Sequence, residues 1–521
     1  MAGPGDDIRA RNAAFAVVAV ATVVRLVFAS ALPLYPDEAY YWEWSRRLAP
    51  GYFDHPPGIA YIIGLGTSLF PALGLAVTPF AVRVFAVLCG LVASLAVVGI
   101  ARRLGGDRAG VYAALIICTM PLAATGLVLA TPDAPLMGAT GAGMYAVVRA
   151  VQSPLRSRAS LGWWCAAGLA LGAAFTSKYT SILLPVGVVG AIVGAGELRS
   201  RLREPGPYVA CAVATLVFAP VLVWNAAHEW RSFTFQIEHG LGAHRGSPLA
   251  REGELVGGQA GLATPILFVL MAAAAWQAIR RRVPATFALL GIVAAVMWGF
   301  FVLSAWRKPV EANWPAPAYV PAAALLAATA ATMWRARGRR WTRWGIGLAL
   351  GLTTVVYAHA LFNVLPLVPR RDPIARAFGF DAMAAGMDAA RAARRASATA
   401  AGATGTVWLG VDRYQDAAEA AFNLPDRPEV FSVNLGGRPN QYDFWPGFPD
   451  RARPGDDLVL AVDDPEGEVH AAVRRLSPHF ARVVRGGRVE LKRDEGDPPI
   501  SVRRIWTLEG WNGTWPARPQ P

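Results

Sequence analysis

The run Ala13-Ala14-Phe15-Ala16-Val17-Val18-Ala19-Val20-Ala21-Thr22-Val23-Val24-Arg25-Leu26-Val27-Phe28-Ala29-Ser30-Ala31-Leu32 carries a single ionisable side chain, Arg25. A helix needs about 20 mainly apolar residues to cross the hydrocarbon of a bilayer, so this run is long enough to do so. Similar stretches recur as far as Phe362 and then stop. With 54% hydrophobic and 17% charged residues, the chain is too apolar for a soluble surface. Spans are expected near 13–32, 79–101, 109–129, 132–150, 161–177, 179–196, 208–226, 262–280, 284–305, 316–334 and 345–363. The fold class is therefore a polytopic α-helical membrane protein of about eleven transmembrane helices. Arg9 and Arg11 before the first run, and Ala29-Ser30-Ala31 at its end, have the form of a signal peptide. Arg25 interrupts the run, and a motif-bearing segment follows it directly, so an uncleaved first span is expected.

The formal charge of +14 and pI near 10.1 would suit a nucleic-acid binder only with a basic face on a recognisable soluble motif. Neither is visible. The excess sits in short clusters between apolar runs: Arg102-Arg103, Arg149 to Arg158, Arg199-Arg201-Arg203, Arg280-Arg281-Arg282 and Arg335 to Arg343. Short loops rich in arginine stay on the cytoplasmic side. With the N-terminus inside, every cluster falls there. The chain is thus expected as a multi-pass protein of the cytoplasmic (inner) membrane, with loops 33–78 and 227–261 and the residues after about 364 extracytoplasmic. The four cysteines all lie within expected spans, with neither disulfide-framework nor metal-knuckle spacing. They are read as small packing residues.

From about 370 the composition becomes water-compatible. A helix over 374–397, strand 406–410, helix 414–423, strands 429–433 and 457–462, helix 466–476 and strands 480–492 and 501–508 describe a small α/β domain. The division expected is 1–369 for the membrane domain and 370–521 for a soluble extracytoplasmic domain. No inverted repeat relates the two halves of the membrane region, which weighs against a transporter.

Chemistry-bearing residues gather in the outer loops. Tyr35-Pro36-Asp37-Glu38-Ala39-Tyr40-Tyr41-Trp42-Glu43-Trp44 sets two adjacent carboxylates among aromatics. An interfacial belt explains the aromatics but not the acids. In Gly51-Tyr52-Phe53-Asp54-His55-Pro56-Pro57, the two prolines stiffen the backbone behind Asp54 and His55; an ordinary surface turn is the plain alternative. Phe235-Gln236-Ile237-Glu238-His239 adds a third set, and Asp54, His55, Glu238 and His239 have the oxygen and nitrogen donors of a divalent-ion site. Lys178, in Thr176-Ser177-Lys178-Tyr179, needs either a route to water or an anionic partner, as does Arg83 early in the second span. Cations at an outer face suit a ligand with a lipid-linked phosphate, because they neutralise charge on its departure. Asp133, in Thr131-Pro132-Asp133-Ala134-Pro135-Leu136, stands at a helix start, where capping is a sufficient explanation.

Together these segments resemble the GT-C superfamily of integral-membrane glycosyltransferases, in particular the glycosyltransferase-39-like group of protein O-mannosyltransferases and of lipid A aminoarabinose and galacturonic acid transferases. The resemblance rests on Pro36 to Tyr41, Gly51 to Pro57, Thr131 to Leu136, Ser177-Lys178-Tyr179, Glu238-His239 and Lys308 to Tyr319. It extends through Asp412-Arg413-Tyr414-Gln415 and Asn434 to Trp445. It implies transfer of a sugar from a polyprenyl-phosphate donor to an acceptor outside the membrane: lipid A or other lipopolysaccharide, another envelope glycan, or protein. It further implies Asp37 as general base of an inverting reaction, with Glu38 orienting it or holding part of the acceptor, and Tyr40, Tyr41 and Asp133 contacting substrate. Lys178, Arg83 and His55 would face the donor phosphate, and Asp54 with His239 and Glu238 would hold a divalent metal ion; no organic cofactor is implied. Relatives carry an acidic residue and a lysine before the two prolines, whereas this chain has Asp54-His55, so His55 is not a permanent cation here.

Two readings from other classes stand beside this one. A transporter or flippase of lipid-linked sugars would use intramembrane charges as a substrate path. A catalytically silent assembly protein on the same fold would tolerate loss of Asp37. No nucleic-acid partner is expected under any of them.

Overall fold

The structure is a computed structural model and describes residues 4–242, 246–280, 283–464 and 469–517. The chain divides into two compact units, one of residues 1–31 and 48–362 and one of residues 32–47 and 363–521. The segment Leu32–Arg47, expected as a loop of the membrane domain, thus clusters with the C-terminal residues instead. The second unit also begins at Asn363 rather than at 370.

In the first unit the apolar runs are helices, in chain order α1 (Pro4–Ala31), α3 (Gly58–Ala72), α4 (Pro79–Thr119), α5 (Pro121–Gly126), α6 (Asp133–Gln152), α7 (Arg158–Ser177), α8 (Leu183–Gly194), α9 (Gly206–Ala227), α10 (Arg231–Leu241), α11 (Pro248–Ala263), α12 (Pro265–Arg280), α13 (Ala285–Ala305), α14 (Tyr319–Thr332) and α15 (Ala336–Phe362); α2 (Pro36–Ser45) belongs to the second unit. Among the described residues, six helices are long and apolar enough to cross a membrane: α1, α4, α7, α9, α13 and α15. Two bent pairs raise the number to eight if each is one span: 179–194 with 196–203, and α11 with α12.

The difference from about eleven expected spans has local causes. Two expected spans are the arms of α4, which breaks at Gly105-Gly106, where Gly106 takes a φ of 74° open to glycine. Arg102 closes the break on Asp107 at 2.5 Å. α14 is short but buried on every side, so its neighbours rather than lipid supply its apolar surroundings. Glycine and alanine set the helix spacing. A Cβ on Gly138 would meet the backbone of Cys89, and one on Gly168 would meet that of Ala210. Such close approach is how helices associate where lipid removes the hydrophobic drive. Two expected loops also fold: α3 occupies part of 33–78, and α10 and α11 fill most of 227–261.

The second unit is α/β. Strands β1 (Val407–Val411), β2 (Val430–Ser432), β3 (Asp457–Asp463), β4 (Phe480–Leu491) and β5 (Ser501–Trp511) form one sheet in the order β2-β1-β3-β5-β4. The first three are parallel and the last two antiparallel. Residues 458–462 of β3, Leu-Val-Leu-Ala-Val, are buried on both faces, which is why this strand reads as a continuous apolar run. Helices α16 (Phe380–Ala400) and α17 (Tyr414–Asn423) pack with the sheet. The expected helix 466–476 begins outside the described residues, and its described part is Ala471–Leu476. α2 docks on α17: Tyr40 meets Tyr414 with ring centroids 4.5 Å apart, and Trp42 meets Phe422 at 5.0 Å. This aromatic face buries the apolar side of α2 within the second unit.

Candidate active site

α2 is built by its own first turn. Pro36 pre-sets φ at the first helical position, where no donor is lost. The fully buried Glu38 carboxylate reaches back to accept from the Tyr35 N–H at 2.9 Å, satisfying an orphan donor of the helix start. Two acids in the first turn also suit the positive end of the helix dipole. Glu38 thereby ties down the first turn that carries Asp37.

Asp37 is half-buried, and its Oδ1 accepts from Gln415 Nε2 at 3.0 Å at the start of α17. Among the described residues it makes no ion pair. Burial pushes its carboxyl above the ordinary range, opposed by the Gln415 hydrogen bond and by the charges of Arg438 and Arg376. A carboxylate held by one amide, facing cations that do not pair with it, retains oxygen lone pairs for a substrate proton. Arg376 also bonds the Tyr35 phenol, whose pKa burial nonetheless raises.

Tyr40 and Tyr41, expected to contact substrate, are core residues of this unit. Tyr40 is 2% exposed, its hydroxyl accepts from the Gln441 N–H at 2.6 Å, and its ring sits among Tyr414, Tyr442 and Trp44. Tyr41 packs edge-on to Trp44 at 5.0 Å.

In the first unit the conspicuous polar cluster is Lys178, Asp133 and Asn313. Lys178 Nζ pairs with Asp133 Oδ1 at 2.8 Å, and Asn313 Nδ2 donates to Asp133 Oδ2 at 2.7 Å. Asp133 is neither helix cap nor open substrate contact: it is the buried counter-ion of Lys178. The loop bearing Asn313 is held from below, with Gln259 donating to the Ala312 carbonyl and Tyr319 to Gln259, both at 2.9 Å. Arg251 clamps the carbonyls of Ala305 and Trp306. Tyr179, next to Lys178, bonds Ser232 at 3.0 Å and accepts from the buried Asn225 at 3.3 Å.

Arg83 is 1% exposed and donates to the Ala29 carbonyl in the last turn of α1 at 3.1 Å, so its described role is to cap that helix. Asp54 is buried with its carbonyl accepting from Gln236, and His55 is half-buried beside it. Glu238 is exposed, its carbonyl accepting from Lys308 at 3.4 Å. The side chain of His239 lies outside the described residues. Among those described, no three histidine, cysteine or acidic side chains converge as a metal ion requires. With the His239 side chain outside the described residues, the expected set of Asp54, Glu238 and His239 is not brought together among those described.

Residues 54–224 match the family described as dolichyl-phosphate-mannose-protein mannosyltransferase. Lipid A galacturonosyltransferase RgtD of Rhizobium johnstonii is 27% identical over 421 residues, covering 81% of this chain and 84% of its own. ArnT of Cupriavidus metallidurans, solved with undecaprenyl phosphate, superposes with a TM-score of 0.63 at 18% identity, over 95% of this chain and 97% of its own. Its apo form gives 0.61 over the same shares. The mycobacterial arabinofuranosyltransferase AftD matches 95% of this chain with 40% of its own, at a TM-score of 0.51 and 14% identity.

The chain has the fold of these GT-C glycosyltransferases.

The stretch matched to the mannosyltransferase family begins at Asp54, so it includes Arg83, Asp133 and Lys178 but not Asp37. Five polar residues of this chain escaped the sequence reading. Gln415, Asn313 and Arg438 lay within segments quoted for the resemblance, but none had a stated role. Arg376 and Gln259 are polar side chains in irregular or amphipathic stretches with no local signal.

Proposed function

We propose that the protein is an inverting transferase that moves a sugar from a polyprenyl-phosphate donor to a lipid A or lipopolysaccharide acceptor on the extracytoplasmic side of the inner membrane. The observation that carries this reading is Asp37: a carboxylate raised by burial, held by Gln415 and fixed on a helix whose cap is Glu38. As general base it takes the proton of an acceptor hydroxyl; the oxygen forms its bond to the anomeric carbon as the bond to the donor phosphate breaks. Polyprenyl phosphate leaves with the electron pair, a charge of the kind a preorganised cation neutralises. The similarity to a lipid A galacturonosyltransferase and to a protein solved with undecaprenyl phosphate supports the acceptor and donor classes. The placement of arginine clusters between apolar runs supports the orientation. An acceptor phosphate, already anionic, needs no base, and Asp37 would then position it together with Arg376 and Arg438.

The test is transfer of label from polyprenyl-phosphate galacturonic acid, aminoarabinose and mannose to lipid A by purified protein in lipid, wild type against Asp37→Asn. Transfer from one donor that falls about 10²- to 10⁴-fold in the variant is the expected result. Donors left intact by wild type, with lipid-linked sugar crossing the bilayer equally in both proteins, would replace this reading by a flippase.

A further inference from the structure

α15 opens at its arginine-bearing end into a groove of about 1070 Å³ lined by Ala336, Arg337, Arg340, Trp341, Trp344, Gly347 and Leu348, with Ile266 of α12 across it. Spacing of three and four places Arg337, Arg340, Trp341, Trp344 and Leu348 on one helical stripe. Along about 16 Å of helix the stripe grades from two guanidinium groups, through two exposed indoles, to glycine and leucine. That order is the complement of a single amphiphile: anionic head, glycerol level, acyl chain. A Cβ on Gly347 would meet nothing within 4 Å, so the apolar end is open.

Among the described residues, several arginines of the other clusters are engaged. Arg102 holds Asp107, Arg201 holds the carbonyls of Val151 and Ser153, and Arg149 lies over the Trp163 ring at 4.2 Å. Among the described residues Arg337 and Arg340 have no hydrogen-bond or ion-pair partner. Guanidinium pairs bind phosphate oxygens in bidentate fashion, and basic pockets between membrane helices gather anionic head groups.

We infer that this groove is a binding site for an anionic glycerophospholipid of the arginine-side leaflet. The inference requires only that α15 crosses the membrane.

Full-length protein stripped of lipid would be titrated with phosphatidylglycerol or phosphatidylcholine, and bound lipid counted by native mass spectrometry. Wild type should retain one phosphatidylglycerol in preference to phosphatidylcholine. Arg337→Gln with Arg340→Gln should weaken retention about 10- to 30-fold. Gly347→Leu, which fills open space and leaves packing intact, should weaken it as well. Arg9→Gln with Arg11→Gln, an equal charge loss at exposed positions, should leave it unchanged. Equal loss in the two arginine pairs would reduce the effect to diffuse surface charge and overturn the site. Equal retention of phosphatidylcholine, or displacement of phosphatidylglycerol by stoichiometric polyprenyl phosphate, would overturn the assignment of the ligand.

Discussion

Two carboxylates, Asp133 in the membrane unit and Asp37 in the second unit, are both largely removed from water, and their surroundings assign them opposite work. Asp133 has an ammonium at 2.8 Å and an amide at 2.7 Å, so both of its oxygens are committed. Asp37 has one amide at 3.0 Å and arginines that act on it only through their field. The first arrangement fixes a cation, and the second leaves carboxylate lone pairs uncommitted among the described residues. Burial alone does not mark a catalytic acid; what decides is whether the compensating charge touches it.

The comparison breaks first at Asp37. Asp37→Asn keeps the shape and the Gln415 contact, so the protein should melt within a few degrees of wild type while turnover falls about 10²- to 10⁴-fold. A raised carboxyl that must be ionised to act also predicts an acid limb in the pH–rate profile, with rate lost as pH falls through the raised pKa. A variant that unfolds would place Asp37 with Asp133 among the structural acids.

The converse holds for Asp133. Asp133→Ala leaves the Lys178 ammonium buried without its partner and should cost about 3–5 kcal/mol of stability, read by thermal melting in detergent. Lys178→Met combined with Asp133→Leu removes both charges and should recover most of that loss. Activity separates the roles: if Lys178 serves the donor phosphate, the double variant stays at least about tenfold impaired, as loss of one charge-assisted contact predicts. Full activity in the double variant would make the pair purely structural.

The bilayer made much of this fold legible. A bilayer selects long apolar helices, so each expected span corresponds to helical chain, and Arg102-Arg103 stands just before the break at Gly105-Gly106. Strands β1 to β5 were readable because β3 is buried on both faces and its neighbours carry branched and aromatic residues. Asp37 and Glu38 stood out as adjacent acids among aromatics. What did not show was tertiary assembly. Tyr40 looked like a substrate contact until Tyr414 and Tyr442, hundreds of residues away in sequence, surrounded it. Gln415 and Asn313 gain meaning only from the carboxylates they meet. Asp133 looked like a cap because the helix start is local and Lys178, on another helix, is not.

A third acid, Asp412, sharpens the contrast by its pH dependence. Following β1, it is largely buried near Asp416 and Asp463, with His470 Nε2 at 3.4 Å, and burial followed by those two acids pushes its carboxyl up to about 7. The folded state therefore holds this proton more tightly than the unfolded chain, which releases it near 4. Stability from the neutral acid is complete below about pH 4 and is lost as pH rises to about 7. Asp412→Asn should accordingly stabilise the second unit more at pH 8 than at pH 4, by about 1–4 kcal/mol, measured as the difference in melting shift between the two pH values. An equal shift at both would mean that Asp412 is ionised and satisfied throughout.

The smallest effect lies in the hydrogen bond that Gln415 donates to Asp37. Gln415 favours the charged form of Asp37, so Gln415→Leu should raise that pKa further without removing the base. A hydrogen bond of about 0.5–1.5 kcal/mol translates into at most about one pH unit. The acid limb of the rate profile should move up by that amount, while the rate on the alkaline plateau stays close to wild type. A plateau that falls with no movement of the limb would give Gln415 a different task, contact with the acceptor itself, and Asp37 would then owe its availability to burial and the arginine field alone.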